Sequence, residues 1–218
     1  MNSNTYSLAA PEILHITDAS GRIWLGCDQE WFGSYWQRLA GCGPCVASNI
    51  LMYLYKRNSI NLPYEIANKD DFIRLMEVAW RHVTPTAKGL NTPELMRRGM
   101  EGFARAHGFK LACFTLNMPK EKKERPTLAE MADFIKEGLL KDSPVAFLNL
   151  SNGAVHNLDS WHWVTIVSIV IDAEKRSVFA KAYDGAEEIL VDLKLWYETT
   201  SLGGGFVYLQ AADNERAL

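Results

Sequence analysis

Apolar residues follow two different spacings along this chain, and the change of spacing limits the folds that it can adopt. In the first half they recur every three or four residues, which is typical of helices that bury one face. In the second half, short runs of β-branched and aromatic residues alternate with turn residues, which is typical of antiparallel strands. Helices followed by strands favour the α+β class, with a cleft where the two parts meet.

The helical part is predicted from apolar spacing and from capping signals. Residues 43–56 and 64–82 each place their apolar side chains on one face. Thr92 followed by Pro93 marks the start of another helix, which is expected to end at Gly108. These three segments predict that the first part of the chain is mainly helical.

A capping box and a charged run separate the two parts. Thr127 and Glu130 have the capping-box spacing, which predicts a helix from there to about Lys141. The run 120–125, closed by Pro126, is interpreted as a solvated loop between the two halves, because blocks of charge usually face water.

The strands are predicted from β-branched runs bounded by turn residues. A hairpin turn is expected at 172–175, and a short helix at 193–198 interrupts the series. The predicted strands are residues 110–116, 143–150, 161–172, 177–184, 187–192 and 204–211.

Length and charge limit the class of protein. A chain of 218 residues suits one domain, 1–218, with a mainly helical lobe at about 29–126 and a mainly β lobe at about 127–212. The net charge of −3 gives no electrostatic reason to expect a nucleic-acid partner. Neither a membrane-length apolar stretch nor a signal-peptide pattern is found, so we expect a cytoplasmic protein without a membrane partner. No His/Cys spacing predicts a metal site, and no cofactor is expected.

The tetrapeptide Cys42-Gly43-Pro44-Cys45 allows two different chemistries. In thioredoxin-like oxidoreductases, the first thiol of this motif attacks a disulfide and the second resolves the mixed disulfide. That fold requires a buried strand directly before the motif, whereas residues 34–41 are largely polar. Thiol–disulfide exchange by Cys42 and Cys45 therefore remains an alternative rather than the preferred interpretation.

The preferred interpretation is acyl transfer by Cys42. Gly41 and Gly43 let the backbone turn tightly, and Pro44 suits the first turn of a helix. A cysteine at this position benefits from the helix dipole, which favours the thiolate. Its backbone N–H has no partner within the helix and can bind an oxyanion.

A cysteine nucleophile needs a base and a group that orients the base. His162 is the first candidate for the base because it begins the most apolar strand, and His156 in the preceding loop is the second. Asp184 ends the next strand, so a hairpin would bring it to the imidazole, and Asp159 is the alternative orienting group.

An oxyanion donor and the cleft walls complete the candidate site. Gln37 precedes Cys42 by five positions and is the candidate donor, while Gln29 lies farther away in the sequence. The candidates to line the substrate groove are the tryptophans Trp31, Trp36, Trp161 and Trp163.

Three segments resemble papain-like cysteine peptidases: WQRLAGCGPCVASNILMYL, HWVTIVSIVID and AYDG. The resemblance is closest to the bacteriocin-leader (double-glycine) peptidases and their free-standing bacterial relatives. It implies a papain-like fold, with Cys42 as nucleophile, His162 as base, Asp184 as orienting group and Gln37 as oxyanion donor. In that family the glutamine usually lies six positions before the cysteine, where this chain has Trp36.

The activity implied by the resemblance is hydrolysis of a peptide or amide bond through a thioester acyl-enzyme. If an amine rather than water took the acyl group, the same residues would make a papain-fold acyltransferase. The expected partner is therefore a peptide or amide substrate. Substrate identity and oligomeric state are not predicted by the sequence.

Overall fold

The computed structural model describes residues 3–172, 174 and 176–212. Its helices are α1 (Tyr35–Ala40), α2 (Cys42–Lys56), α3 (Lys69–Trp80), α4 (Pro93–Ala106), α5 (Leu128–Leu140) and α6 (Leu193–Thr199). Its strands are β1 (Ser3–Ser7), β2 (His15–Thr17), β3 (Ile23–Leu25), β4 (Leu111–Met118), β5 (Val145–Asn149), β6 (His162–Asp172), β7 (Ser177–Asp184), β8 (Glu187–Asp192) and β9 (Gly204–Ala211).

One antiparallel sheet organises the described residues. Its strand order is β4-β9-β5-β6-β7-β8, and β1 pairs with the second half of β6. The strands β2 and β3 form a separate hairpin. Helical elements and an antiparallel sheet in one chain confirm the α+β class.

The central helix α2 owes its position to an almost continuously apolar sequence. Every residue from Gly43 to Leu54 is buried, and the helix packs against β6 on one side and α3 on another. A helix that is apolar all round belongs in a core rather than at a surface. The first residue of α2 is consequently held against the start of the longest strand.

The helices and strands predicted from local signals are found close to their expected positions. The helix expected at 64–82 is shorter, because it begins at Lys69, where the Asn68 side chain accepts a hydrogen bond from the backbone N–H of Asp71. For the turn expected at 172–175, Ala173 and Lys175 lie outside the described residues.

Three strands and one helix carried no usable sequence signal. In β1 the side chains are exposed except for half-buried Tyr6, so the strand is held by backbone pairing with β6. The three-residue strands β2 and β3 are too short to show a period. Helix α1 leads directly into the tetrapeptide and is capped by Ser34.

The charged run at 120–125 is not wholly a solvated loop, which corrects that interpretation. Arg125 is buried, and its guanidinium donates hydrogen bonds to the backbone oxygens of Pro119 at 2.6 Å and Lys120 at 2.8 Å. It also donates to Thr200 O at 3.1 Å and Tyr197 O at 3.3 Å, which ties the loop to the end of α6. The preceding residues of the run are exposed, as expected.

Strand β4 shows that the two predicted lobes share the sheet. It lies within the range predicted to be mainly helical, yet it pairs along its whole length with β9. The helix α4 packs on the same strand. The division into two lobes at about residue 126 stays a prediction. The sheet itself contains strands from both sides of that position in the sequence.

Candidate active site

Cys42 is the first residue of α2, and Gly41 is both the end of α1 and the N-cap of α2. The two helices therefore meet at a single residue. A side chain at Gly41 would collide with the backbone oxygen of Gln37 and with the ring of Phe32, so this junction requires glycine. The thiol is half-buried at a helix N-terminus, where the dipole favours a thiolate.

His162 and Asp184 are brought together by the register of β6 and β7. Thr165 pairs with Tyr183 in this antiparallel ladder, so the end of β7 lies near the start of β6. The imidazole Nε2 lies 2.6 Å from Asp184 Oδ1. Since Nε2 is engaged with the carboxylate, Nδ1 is the nitrogen left for Cys42.

The surroundings of His162 favour its protonated form. Burial by itself lowers the pKa of the imidazole, but hydrogen bonding to Asp184 and to Cys42 outweighs it, and the pKa rises to about 10. The side chain is only 16 % exposed, so these interactions are poorly screened by water. The site is therefore suited to a thiolate–imidazolium pair at neutral pH.

Cys42, His162 and Asp184 line one cavity of about 350 Å³. Further carboxylates also line it, and no lysine or arginine is among its lining residues. Its carboxylates outnumber the single imidazolium of His162, and this excess of negative charge favours cationic groups inside the cavity. These additional carboxylates are Asp28, Glu30, Asp159 and Glu187.

Gln37, the candidate oxyanion donor, is hydrogen-bonded within the helical part of the structure. Its Nε2 donates a hydrogen bond of 2.7 Å to Glu77 Oε2, and its Oε1 accepts one of 3.2 Å from the Ser34 backbone. It is thus the third residue of the α1 capping box, and it does not line the cavity. Both Nε2 and Oε1 of Gln37 are therefore hydrogen-bonded to residues of the helical part.

Gln29 is the glutamine that lines the cavity with Cys42. It begins the 3₁₀ turn Gln29–Trp31, and Asp28 caps that turn. Among the described residues its side-chain amide has no hydrogen-bond partner, so its N–H groups are free to bind an oxyanion. In the sequence Gln29 is the weaker candidate because it lies farther from Cys42 in what is expected to be a solvated loop, and no local signal shows how the intervening chain folds back.

Asn49 explains why the segment carrying Gln29 returns to the site. This buried side chain accepts a 3.0 Å hydrogen bond from the Cys27 backbone and donates one of 2.9 Å to Thr165 Oγ1. It therefore joins helix α2, the loop before Gln29 and strand β6. Gly26, at φ +78°, passes so close that an added Cβ would lie 2.8 Å from Asn49 Nδ2.

Cys45 is a buried residue of α2 and forms no disulfide in the structure. Burial and then the neighbouring thiol of Cys27 raise the pKa of the Cys45 thiol well above its usual range. The Cys27 Sγ also donates a hydrogen bond of 3.2 Å to the Cys45 backbone oxygen. Helix α1, rather than a buried strand, leads into the tetrapeptide, so the strand–motif–helix unit of thioredoxin-like proteins is not formed.

The fold places the remaining candidate residues, which are His156, Asp159 and the tryptophans, in different parts of the structure. His156 is exposed and lines no part of the cavity, whereas Asp159 does line it without bonding to His162. Trp163 lines this cavity and also a second cavity, which shares Cys42 with it and is lined by Trp36 and Trp161 as well. Trp31 instead stacks edge-on with Trp24.

The described residues also bear on metal binding and on insertion into a membrane. Among the described residues, no group of three or more His, Cys, Asp or Glu side chains is arranged to hold a metal ion. Within the same residues, every helix is too short or too polar to cross a bilayer.

Comparison with known proteins gives matches among solved structures but none to a family model or a curated protein. No family model matches the chain, and no curated protein matches it. Among solved structures, UfSP from C. elegans is similar with a TM-score of 0.49 and 10 % sequence identity. The likeness covers 79 % of this chain and 30 % of that chain, so this chain spans less than a third of its length.

Proposed function

We propose that this protein is a papain-like cysteine hydrolase that cleaves a peptide or amide bond through a thioester acyl-enzyme. The observation that carries the proposal is the convergence of Cys42, His162 and Asp184 in one cavity. The thiol begins a buried helix, and the imidazole is bonded to a carboxylate through its other nitrogen. This is the nucleophile, base and orienting group that a cysteine hydrolase requires.

Acylation would proceed from the thiolate–imidazolium pair. The Cys42 thiolate attacks the substrate carbonyl, and the oxygen that becomes negative is bound by the Cys42 backbone N–H and by the Gln29 amide. His162 then gives its proton to the leaving amine as the carbon–nitrogen bond breaks. Asp184 holds the imidazole in position and stabilises its positive charge throughout.

Deacylation reverses the proton transfers. His162, now neutral, takes a proton from a water molecule, and the resulting hydroxide attacks the thioester. The carbon–sulfur bond breaks, the acid product leaves, and the proton on His162 restores the starting pair. An amine in place of water would give a new amide, so the transferase alternative differs only in the second nucleophile.

Within this class, the sequence resemblance points to the bacteriocin-leader peptidases of bacteria. A leader-peptide substrate does not follow from that resemblance, so we propose short peptide amides as the first substrates to test, with a cytoplasmic enzyme as the working expectation. The screen varies the residues on both sides of the scissile bond.

The decisive experiment measures alkylation of Cys42 by iodoacetamide as a function of pH, followed by peptide mass spectrometry. Wild type should react rapidly at pH 6–7, whereas His162→Ala should react only as pH approaches the ordinary thiol pKa of about 8.5. His156→Ala is the matched control because that imidazole is exposed and outside the cavity. Equal profiles for wild type and His162→Ala would overturn the proposal.

The acyl-enzyme provides the second readout. Incubation with an activated peptide ester should add the acyl mass to Cys42, and the adduct should decay in water with release of acid. Decay only after an amine is added would favour the transferase instead. A Cys42→Ser variant should form no long-lived adduct, because the hydroxyl is much less acidic than the thiol.

A further inference from the structure

The polar side chain of Asn49 lies in a part of helix α2 that is buried on every side. Asn49 is 3 % exposed, and all residues of the helix from Gly43 to Leu54 are buried. Burying an amide is unfavourable unless its polar atoms find partners. The neighbouring Ser48 finds one within the helix, because its hydroxyl donates a 2.8 Å hydrogen bond to the Pro44 backbone oxygen. Asn49 instead bonds to two elements outside the helix.

The two ends of the Asn49 carboxamide have different partners, and these partners fix its orientation. The backbone N–H of Cys27 needs an acceptor, so Oδ1 faces it at 3.0 Å and Nδ2 faces Thr165 Oγ1 at 2.9 Å. Thr165 is fully buried and follows His162 by three positions in β6. One side chain therefore connects the loop before Gln29 with the strand that carries the proposed base.

The backbone of Gln29 has little freedom relative to that of Cys27. The two residues are separated only by Asp28, which caps the 3₁₀ turn that Gln29 begins. The Asp28 carboxylate accepts a 2.9 Å hydrogen bond from the Glu30 backbone N–H, and the Asp28 backbone oxygen accepts one of 3.1 Å from Trp31. The position of Gln29 therefore follows the position of Cys27.

Cys27 is attached to helix α2 by two hydrogen bonds of unequal strength. Its backbone N–H bonds to Asn49, and its Sγ donates to the Cys45 backbone oxygen at 3.2 Å. A thiol is a weak donor, so the bond to Asn49 is the stronger attachment. Asn49 also lines the cavity that contains Cys42 and Gln29, so this attachment lies in the wall of the site itself.

An oxyanion donor is effective only at hydrogen-bond distance, about 2.7–3.1 Å, from the oxygen that becomes negative. A misplacement of about 1 Å can cost about 10²-fold in rate, even when the substituted residue lies far from the reacting atoms. In this fold α2 carries the nucleophile, β6 carries the base, and the loop after Cys27 carries the candidate donor. Asn49 belongs to the first of these elements and is hydrogen-bonded to the other two.

We propose that Asn49 and its partner Thr165 are positioning residues, which hold Gln29 where its amide can bind the oxyanion. The proposal rests on the proposed function, because it gives the pair a role in that reaction through Gln29. Both ends of the Asn49 amide are already bonded, whereas the Gln29 amide has no hydrogen-bond partner among the described residues. Loss of the pair should therefore lower kcat with little change in KM, as loss of a transition-state donor does.

Thr165→Val is the first variant, because it keeps the shape of the side chain and removes only the hydroxyl that Asn49 bonds. In hydrolysis of a peptide p-nitroanilide taken from the substrate screen, it should lower kcat by about tenfold or more and leave KM within about twofold. Thr165→Ser keeps the hydroxyl and should restore kcat to within about twofold of wild type. Ser48→Ala is the matched control, because it removes a fully buried hydroxyl of the same helix that does not reach the loop.

Combination with Gln29→Ala distinguishes positioning from a general loss of structure. If the pair acts through Gln29, Thr165→Val should lower kcat by less than about twofold once Gln29 is already alanine. Equal losses in the two backgrounds would overturn the proposal. Alkylation of Cys42 by iodoacetamide needs no oxyanion donor, so its pH profile should be the same in Thr165→Val and wild type. A changed profile would show that Thr165 acts through His162 instead, which also overturns the proposal.

Asn49→Leu tests the amide directly. The variant removes the bond to Cys27 as well as the bond to Thr165, so its kcat should fall at least as far as that of Thr165→Val. A kcat within about twofold of wild type would overturn the proposal. Where Asn49→Leu does not fold, the Thr165 variants and their combination with Gln29→Ala decide.

The outcomes separate this proposal from the proposed function. Hydrolysis by wild type, with equal losses in the two backgrounds, would reject the positioning role and keep the hydrolase. If wild type hydrolyses no amide, the same variants are compared by the rate at which an activated peptide ester acylates Cys42, because an oxyanion also forms in that step. A loss that depends on Gln29 there would support the positioning role and reject amide hydrolysis. A Cys42 that is not acylated either would reject both proposals.

Discussion

The imidazole Nε2 of His162 lies 2.6 Å from Oδ1 of Asp184, across the ladder between β6 and β7. This contact occupies one ring nitrogen and directs the other toward Cys42. It also supplies the negative charge that keeps the imidazole protonated despite its burial. The proposed chemistry therefore depends on strand register as much as on the identity of the nucleophile.

Replacing Asp184 by Asn should lower the pKa of His162 from about 10, because the variant keeps a hydrogen-bonding group but loses the charge. A nearby opposite charge shifts a pKa by about 1–3 units, so the variant should lose the imidazolium at a pH about 1–3 units lower than wild type does, and the pH profile of Cys42 alkylation should change with it. The pH profile of iodoacetamide labelling measures this. Asp159→Asn is the control. If it changes the pH profile of Cys42 alkylation more than Asp184→Asn does, Asp159 rather than Asp184 orients His162.

Gln29→Ala should reduce kcat by about 10²–10³, with little change in KM, because an oxyanion donor acts mainly in the transition state. Its melting temperature should stay close to wild type, since the Gln29 amide has no hydrogen-bond partner among the described residues.

Gln37→Ala should show the opposite pattern. Its amide bonds to Glu77 and to the Ser34 backbone, so its loss should lower the melting temperature while leaving kcat nearly unchanged. The pair of variants is compared by peptide hydrolysis and thermal unfolding. A large loss of kcat in Gln37→Ala, with none in Gln29→Ala, would show that Gln37 rather than Gln29 binds the oxyanion.

The raised pKa of His162 predicts a pH dependence of stability. The folded value of about 10 lies above the unfolded value of about 6.5, so the stabilisation is complete below pH 6.5 and is lost as pH rises toward 10. Across that window the free energy of unfolding, relative to His162→Gln, should fall by up to about 1.4 kcal/mol per pH unit. Urea unfolding from pH 6 to 10 measures the difference, and a constant difference would contradict the ion pair.

Arg125→Met should destabilise the fold, because four backbone oxygens lose a buried guanidinium donor. Leaving one such group unpaired costs about 1–3 kcal/mol, so a loss of at least that size in the free energy of unfolding is expected. Lys123→Met tests the exposed part of the same run and should stay within about 0.5 kcal/mol. If urea unfolding gives both variants the same free energy of unfolding, the hydrogen bonds of Arg125 do not stabilise the fold.

Cys45→Ala separates hydrolysis from disulfide exchange. Since Cys45 is buried and its thiol pKa is raised, we expect the variant to keep the alkylation profile of Cys42 and the hydrolysis rate. The wild-type protein should not accelerate the reduction of insulin by dithiothreitol. Strong insulin reduction that disappears in Cys45→Ala would support the oxidoreductase alternative.

Local signals in the sequence were sufficient for much of the architecture. Thr92 and Thr127 cap the helices that they were expected to begin, and the β-branched run after Trp161 forms the longest strand. Caps and apolar spacing act between residues a few positions apart, so they can be identified without the fold. Strand β1 could not be identified in this way, because it depends on its pairing with β6.

What the sequence by itself determined is the α+β class, the position of Cys42 at the start of a buried helix, and the candidacy of His162 and Asp184 at neighbouring strand ends. The position of Gln29 in the cavity with Cys42 was decided only by the tertiary structure, because Asn49 holds the loop before Gln29 against α2 and β6. The two cavities flanking Cys42 also exist only in the fold. Their walls come from segments far apart in the chain, and such side chains converge only when packing and register bring their backbones together.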